Sequence, residues 1–337
     1  MTRLRIVLLT LAAAAALAGT AGLATVFLGL FNTSARDGHW SATAWAMHET
    51  FENGVARRAP PAASVPPGLV DPALIELGAR HYDSACRMCH GTPGRSADAT
   101  IAAMEPAPPQ ISTAVRAWQP QEMHWIVDEG VKMTGMPAWP AEGRGDEVWA
   151  VVAFLNAVKA GMDGQEYDRI TAPAAEGYCA GCHGATGTPL APRLNILTPA
   201  YIAEALAAYR SGTRPSGFMA HAVTRVPPEA EARLAEALST LSPPPQLRVA
   251  GDPAPGEALA RRGSRDIPAC LSCHGSRNTN PLIPRLSGQN EAYLAAQLKL
   301  WRDGQRDGSD RAVLMWQAAR DLSDQDIADL ARYFAAQ

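Results

Sequence analysis

Cys86-Arg-Met-Cys89-His90 recurs as Cys179-Ala-Gly-Cys182-His183 and again as Cys270-Leu-Ser-Cys273-His274, and these stretches contain all six cysteines of the chain. The spacing has a chemical reason. Two thiols on one turn reach the two vinyl groups of one haem and attach it covalently, and the imidazole that follows reaches the iron. The competing readings are a disulfide framework, a zinc site and a thioredoxin-like redox pair. A zinc ribbon pairs its Cys-x-x-Cys units in even number, and a thioredoxin-like site needs no histidine after each pair. The pattern predicts three covalently attached haems c.

Around these motifs, 337 residues carry 30 Lys+Arg against 33 Asp+Glu, a net charge of −3. So even a balance argues against nucleic acid as the main partner. Hydrophobic residues make up 47% but aromatics only 6%, so cores this poor in rings must be filled some other way, and a large cofactor would serve. The chain plainly resembles the cytochrome c family, specifically a three-haem, membrane-attached bacterial cytochrome.

The N-terminus reads as a membrane span. Arg3 and Arg5 precede Ile6 to Phe31, which has no charged residue. As a helix that run is about 39 Å long, against roughly 30 Å of hydrocarbon. The arginines are expected on the cytoplasmic side, which puts the rest outside the inner membrane, in the periplasm. Ala16-Leu-Ala18 offers a rival signal-peptide cleavage site, but the apolar run continues well past it. Residues 1–33 are therefore read as a single-pass anchor, or a signal sequence. In 34–70, Trp40, Ala44, Trp45, His48, Phe51 and Val55 share a helical face suited to the membrane boundary or to an extension of the anchor. A Pro-rich spacer, Ala59 to Pro67, follows.

Punctuation and internal repetition divide the remainder into haem domains at 71–160, 161–248 and 249–337. Cys179 maps onto Cys270 with an offset of 91. An offset of 92 carries Pro192-Arg-Leu194 onto Pro284-Arg-Leu286, Tyr201 onto Tyr293, Tyr209 onto Trp301, Gly212 onto Gly304 and Arg214 onto Arg306. Matches in register imply one duplicated fold, and this half resembles the two-domain dihaem cytochromes c. The first domain looks like a different single-haem type. No stretch alternates long enough for a sheet, so the expected class is all-α. Asp71 and Pro72 open a helix that runs into the first motif. Glu257 to Arg262 precedes the third motif, and closing helices are expected at Asp146–Lys159, Glu229–Leu241 and Ser323–Phe334. Ala172 to Gly177 is a poor first helix for the second domain, which puts the completeness of its haem wrapping in question.

One histidine per iron leaves a sixth position. A thioether suits both oxidation states of iron and raises the potential. The resemblance implies His90, His183 and His274 as proximal ligands. It places Met136, in Thr134-Gly-Met-Pro137, on the family's axial-methionine loop. Met315 precedes the third closing helix, and Met219 stands at the matching place in the second domain, with His221 as a competitor two residues away. Met133 is a weaker rival to Met136, His124 reads as a packed histidine and Met88 as pointing away from the iron. The resemblance further implies a proline carbonyl holding each proximal imidazole: Pro192, Pro284, and Pro108 or Pro109 in the first domain. Arg193 and Arg285 are candidates for haem propionates or for plain surface positions.

Three irons closed by His and Met leave no place for a substrate, so the expected function is electron transfer rather than catalysis. The resemblance places the upstream partner as a quinol-oxidising cytochrome c reductase or a dehydrogenase, and the downstream one as a terminal oxidase or soluble cytochrome c. The alternative is a haem enzyme such as a peroxidase, using an open or displaceable position in the second domain.

Overall fold

The computed structural model describes residues 2–246 and 248–337. Among the described residues there is no strand, only an isolated pairing of Thr92 with Arg95. The main helices are α1 (Arg3–Phe27), α2 (Ser41–Arg58), α3 (Pro72–Ala85), α4 (Pro120–Glu129), α5 (Gly145–Lys159), α6 (Gly164–Ile170), α7 (Pro199–Ser211), α8 (Gly217–Val223), α9 (Glu231–Ser239), α10 (Ala254–Arg262), α11 (Glu291–Arg302), α12 (Ala312–Ala319) and α13 (Asp324–Ala335). Among the described residues none of α1 is buried, and its length and hydropathy suffice to cross a membrane.

The face expected on the membrane is split in α2. Val55 is fully buried and Phe51 meets Trp118 edge-on at 5.5 Å, so the C-terminal half docks on the segment leading into α4. Trp40 and Trp45 remain 85% and 64% exposed. This helix is also separate from α1, which ends at Phe27, and so does not continue it.

Each motif forms its own short helical turn, Arg87–His90, Ala180–His183 and Leu271–His274. In the first domain the chain enters that turn from α3, where the Asp71 carboxylate accepts from the Ala73 N–H and Pro72 takes the first helical position. A closing helix, α5, crosses it and buries Val148, Val151, Val152, Phe154 and Leu155. The crossing is as close as backbones allow. A β-carbon on Gly78 would lie 1.9 Å from the Ala150 carbonyl oxygen, so only glycine fits. The third domain repeats the device. There α13, opened by a Ser323–Asp326 capping box, crosses α10 at Gly256, whose β-carbon would lie 2.0 Å from the Asp329 oxygen.

The second domain has α7, α8 and α9 but no helix running into its motif, since Ala172 to Tyr178 is irregular. By the 92-residue offset the counterpart of α10 is α6. That helix instead packs on the first domain, where Tyr167 is buried against Tyr82 and Phe154 and donates to the Asp83 carboxylate at 2.7 Å.

Candidate haem sites

The three motif histidines make the same contact. His90 Nδ1 lies 2.8 Å from the Pro109 carbonyl, His183 Nδ1 3.0 Å from that of Pro192 and His274 Nδ1 2.8 Å from that of Pro284. A carbonyl only accepts, so each Nδ1 carries the proton, and each Nε2 is left as the lone-pair donor to a metal. In the first domain the contact falls on Pro109 rather than Pro108. Burial lowers the pKa of His183 and His274, which keeps both neutral and fit to ligate. None of the six cysteines is in a disulfide. Burial pushes the Cys86 thiol up to about 12 and those of Cys182 and Cys270 to about 11. Reactive redox pairs show the reverse, a depressed thiol in an electropositive setting.

Two cavities receive the second and third motifs. One, of about 660 Å³, brings Cys179, Cys182, His183, Pro192 and Met219 together, and His221 is not in its wall. The His221 ring lies instead 5.5 Å from that of His81 on α3. The other, of about 290 Å³, joins Cys270, Cys273, His274, Pro284 and Met315. In the first domain Met136 is half-buried on the loop between α4 and α5, with its N–H bonded to Thr134 Oγ1. Its rival Met133 is 86% exposed, Met88 is 67% exposed, and His124 is packed under Trp149 with Nε2 on the Gly145 carbonyl.

Between the second and third domains the offset of 92 becomes a reciprocal contact. Arg214 donates to Tyr293 Oη at 3.2 Å, and Arg306 donates to Tyr201 Oη at 3.2 Å. Arg214 lies over the Tyr209 ring and Arg306 over the Trp301 ring. Burial would raise the Tyr201 phenol, but the two guanidiniums facing it hold it below its ordinary value. Arg214, Arg306, Tyr201 and Tyr293 line both cavities, and the sequence marks them only as repeat positions. The 92-residue register marks the positions, but nothing in the sequence distinguishes them from other repeated residues. Arg193 reaches the Gly288 carbonyl across this interface, and Arg285, largely exposed, lines the third-domain cavity.

These arginines test the cofactor. Among the described residues the side-chain partners of Arg214 and Arg306 are neutral, Tyr293 for the first and Gln297 and Tyr201 for the second, and the buried Nε of Arg306 has no partner. A buried guanidinium without a counter-anion is costly. The two carboxylates that every haem carries supply that anion, so the donor set fits the group.

The match to the family described as cytochrome c oxidase, cbb3-type, subunit III, covers residues 73–155. The thiosulfate dehydrogenase electron acceptor of Stutzerimonas stutzeri is 34% identical over 210 residues, 58% of this chain and 94% of that protein. The chain belongs to the cytochrome c family. Within that family, cytochrome c4 of Azotobacter vinelandii is 31% identical over 172 residues, 46% of this chain and 82% of its own length. A shorter relative, cytochrome c-554(548) of Halomonas halodenitrificans, is 44% identical over 84 residues, 24% of this chain and 98% of itself. As a cytochrome c it is an electron-transfer protein, with haem c bound covalently through the motif cysteines. The haem supplies the one-electron change of the iron, and the chain's residues attach, orient and enclose it.

Proposed function

We propose that this cytochrome carries three haems c, at Cys86–His90, Cys179–His183 and Cys270–His274, and conducts electrons along the periplasmic face of the inner membrane. The proximal ligands are His90, His183 and His274, and the sixth ligands Met136, Met219 and Met315. The observation that carries this reading is the identical Nδ1–carbonyl bond at all three motifs, which prepares each imidazole for iron in the same way. The repeat of the second and third domains is supported as a dihaem unit by its reciprocal Arg–Tyr contacts. A relative named for accepting electrons from thiosulfate dehydrogenase supports a periplasmic dehydrogenase of that type as the donor to this unit. The first domain's likeness to an oxidase subunit supports a terminal oxidase, reached directly or through a soluble cytochrome c, as the acceptor. The helix α1 anchors the chain, with Trp40 and Trp45 of α2 at the lipid boundary.

The test is the mass of the protein matured in a host that attaches haem c. It is expected to exceed the polypeptide by three haems that survive denaturation, in the membrane fraction. Fewer than three haems, or rapid carbon monoxide binding by the unmodified second haem, would replace the electron wire with a different reading.

A further inference from the structure

We propose that the second haem site is composite: where the second domain has no helix of its own running into the motif, α3 of the first domain supplies part of the wall of its haem cavity. The inference rests on the three-haem reading above.

The first and third motifs are each entered from a helix that crosses the closing helix at a glycine. In the second domain no helix of its own runs into the motif, because α6 packs on the first domain. The neighbouring α3 packs against the motif turn and lines the cavity from that side, beside the irregular stretch Ala172 to Tyr178. Leu74, Leu77, His81 and Ser84 recur at helical spacing on α3, and together with Arg80 they line the cavity that holds Cys182, His183 and Met219. Ala79 and Tyr82 lie on the other side of the helix, buried in the first domain, with Gly78 between the two faces. The helix is therefore apolar on two faces and serves two sites.

Hydrogen bonds tie the second motif's surroundings to this wall. Arg80 donates to the Thr186 carbonyl at 2.9 Å and to that of Ala172 at 3.4 Å, while its Nε holds Glu76. Thr188, fully buried, donates to the Ala73 carbonyl at 3.1 Å, and Tyr178 to Ser84 Oγ at 3.2 Å. The Arg80 guanidinium also lies against Gly181, inside the motif. Two effects follow for an iron held there. The leucines exclude water, and a nearby positive charge disfavours the more positive ferric form, so both raise the potential. Arg80 is a positioning residue for this haem although it stands 99 positions before Cys179 in the chain.

The experiment is a spectroelectrochemical titration of the full-length, haem-loaded chain. The second haem's transition is identified as the one missing from a Cys179→Ala, Cys182→Ala variant. Arg80→Met keeps the aliphatic stem and removes the charge and its bonds, and Thr188→Val removes the other tether at nearly constant shape. Arg80→Met is expected to shift the second haem toward the ferric form about threefold at fixed ambient potential. Thr188→Val is expected to shift it in the same direction by less. The third haem's midpoint stays fixed in both, which also reports an intact fold. An unmoved second midpoint in both variants, or a shift of the first haem alone, would overturn the composite site while leaving three haems in place. A mature chain with no haem at Cys179–His183 would overturn the three-haem reading and this inference together.

Discussion

Methionine and histidine stand two residues apart in α8, and a single helical turn decides which one meets iron. Met219 and His221 differ by about 200° around a helix, so they cannot both face one cavity. Met219 points into the second cavity, and His221 turns toward His81. Met219→Ala is therefore expected to open the second haem to carbon monoxide and lower its potential, since a donor that favours ferrous iron is lost. His221→Ala is expected to leave the spectrum of that haem unchanged. Difference spectra of the reduced variants with and without carbon monoxide check both. The reverse pattern would make this a bis-histidine site.

Helices cross here only where a side chain has been deleted. Gly78 under α5 and Gly256 under α13 let backbones touch, and a methyl at either would collide with a carbonyl oxygen rather than with a movable side chain. Gly→Ala inside a helix gains about 1 kcal/mol of propensity, but overpacking costs about 1–3 kcal/mol and must shift the whole partner helix. The clash wins. Gly256→Ala is expected to lower the urea midpoint of the third domain, while Gly304→Ala, whose position is open on all sides within 3.8 Å but has φ of +67°, is strained only locally. Comparing the two variants by denaturant titration separates helix separation from turn strain. The second domain escapes this constraint because no helix runs into its motif, and its closing helix α9 packs instead on α7 through Ile202, Leu206, Ala235 and Leu238.

The domains are joined by buried polar contacts rather than by linkers alone. At the first junction Glu147 accepts from Ser216 Oγ and the Gly217 N–H, both at 2.6 Å, and pairs with Arg144 at 2.7 Å. Beside it the His81 ring lies 4.9 Å from Trp139, 4.8 Å from Phe218 and 5.5 Å from His221, with Arg225 facing His221 from the far side. Burial, and then the neighbouring His221, lowers His81 from 6.5 to about 3. The separated or unfolded chain thus takes up a proton between those values that the docked state refuses. Stability of the junction is full above pH 6.5 and falls by about 1.4 kcal/mol per unit as pH drops toward 3. Thermal unfolding of the whole chain across that range is expected to show this loss, and His81→Phe is expected to flatten it. An equal pH slope in both proteins would remove His81 from the junction.

Chemistry that depends on neighbours in the chain was legible before any fold was known. The Cys-x-x-Cys-His units, the caps at Asp71 and Ser323 and the apolar run of α1 all act within a few turns, where spacing alone sets geometry, while the proline carbonyls at Pro192 and Pro284 come from the family resemblance. The duplication was legible too, because register survives as arithmetic. Three matters waited for the tertiary structure. Sequence leaves open whether Arg214 and Arg306 are surface charges or buried cations, because that depends on a pseudo-symmetric face formed by segments about 90 residues apart. The split of α2 depends on Trp118 being there to cover Phe51. And the irregular stretch before Cys179, which puts the haem wrapping in question, shares its cavity wall with residues of α3. Burial is a property of pairs of surfaces, and a helix with two apolar faces does not announce in its own residues which two domains it will serve.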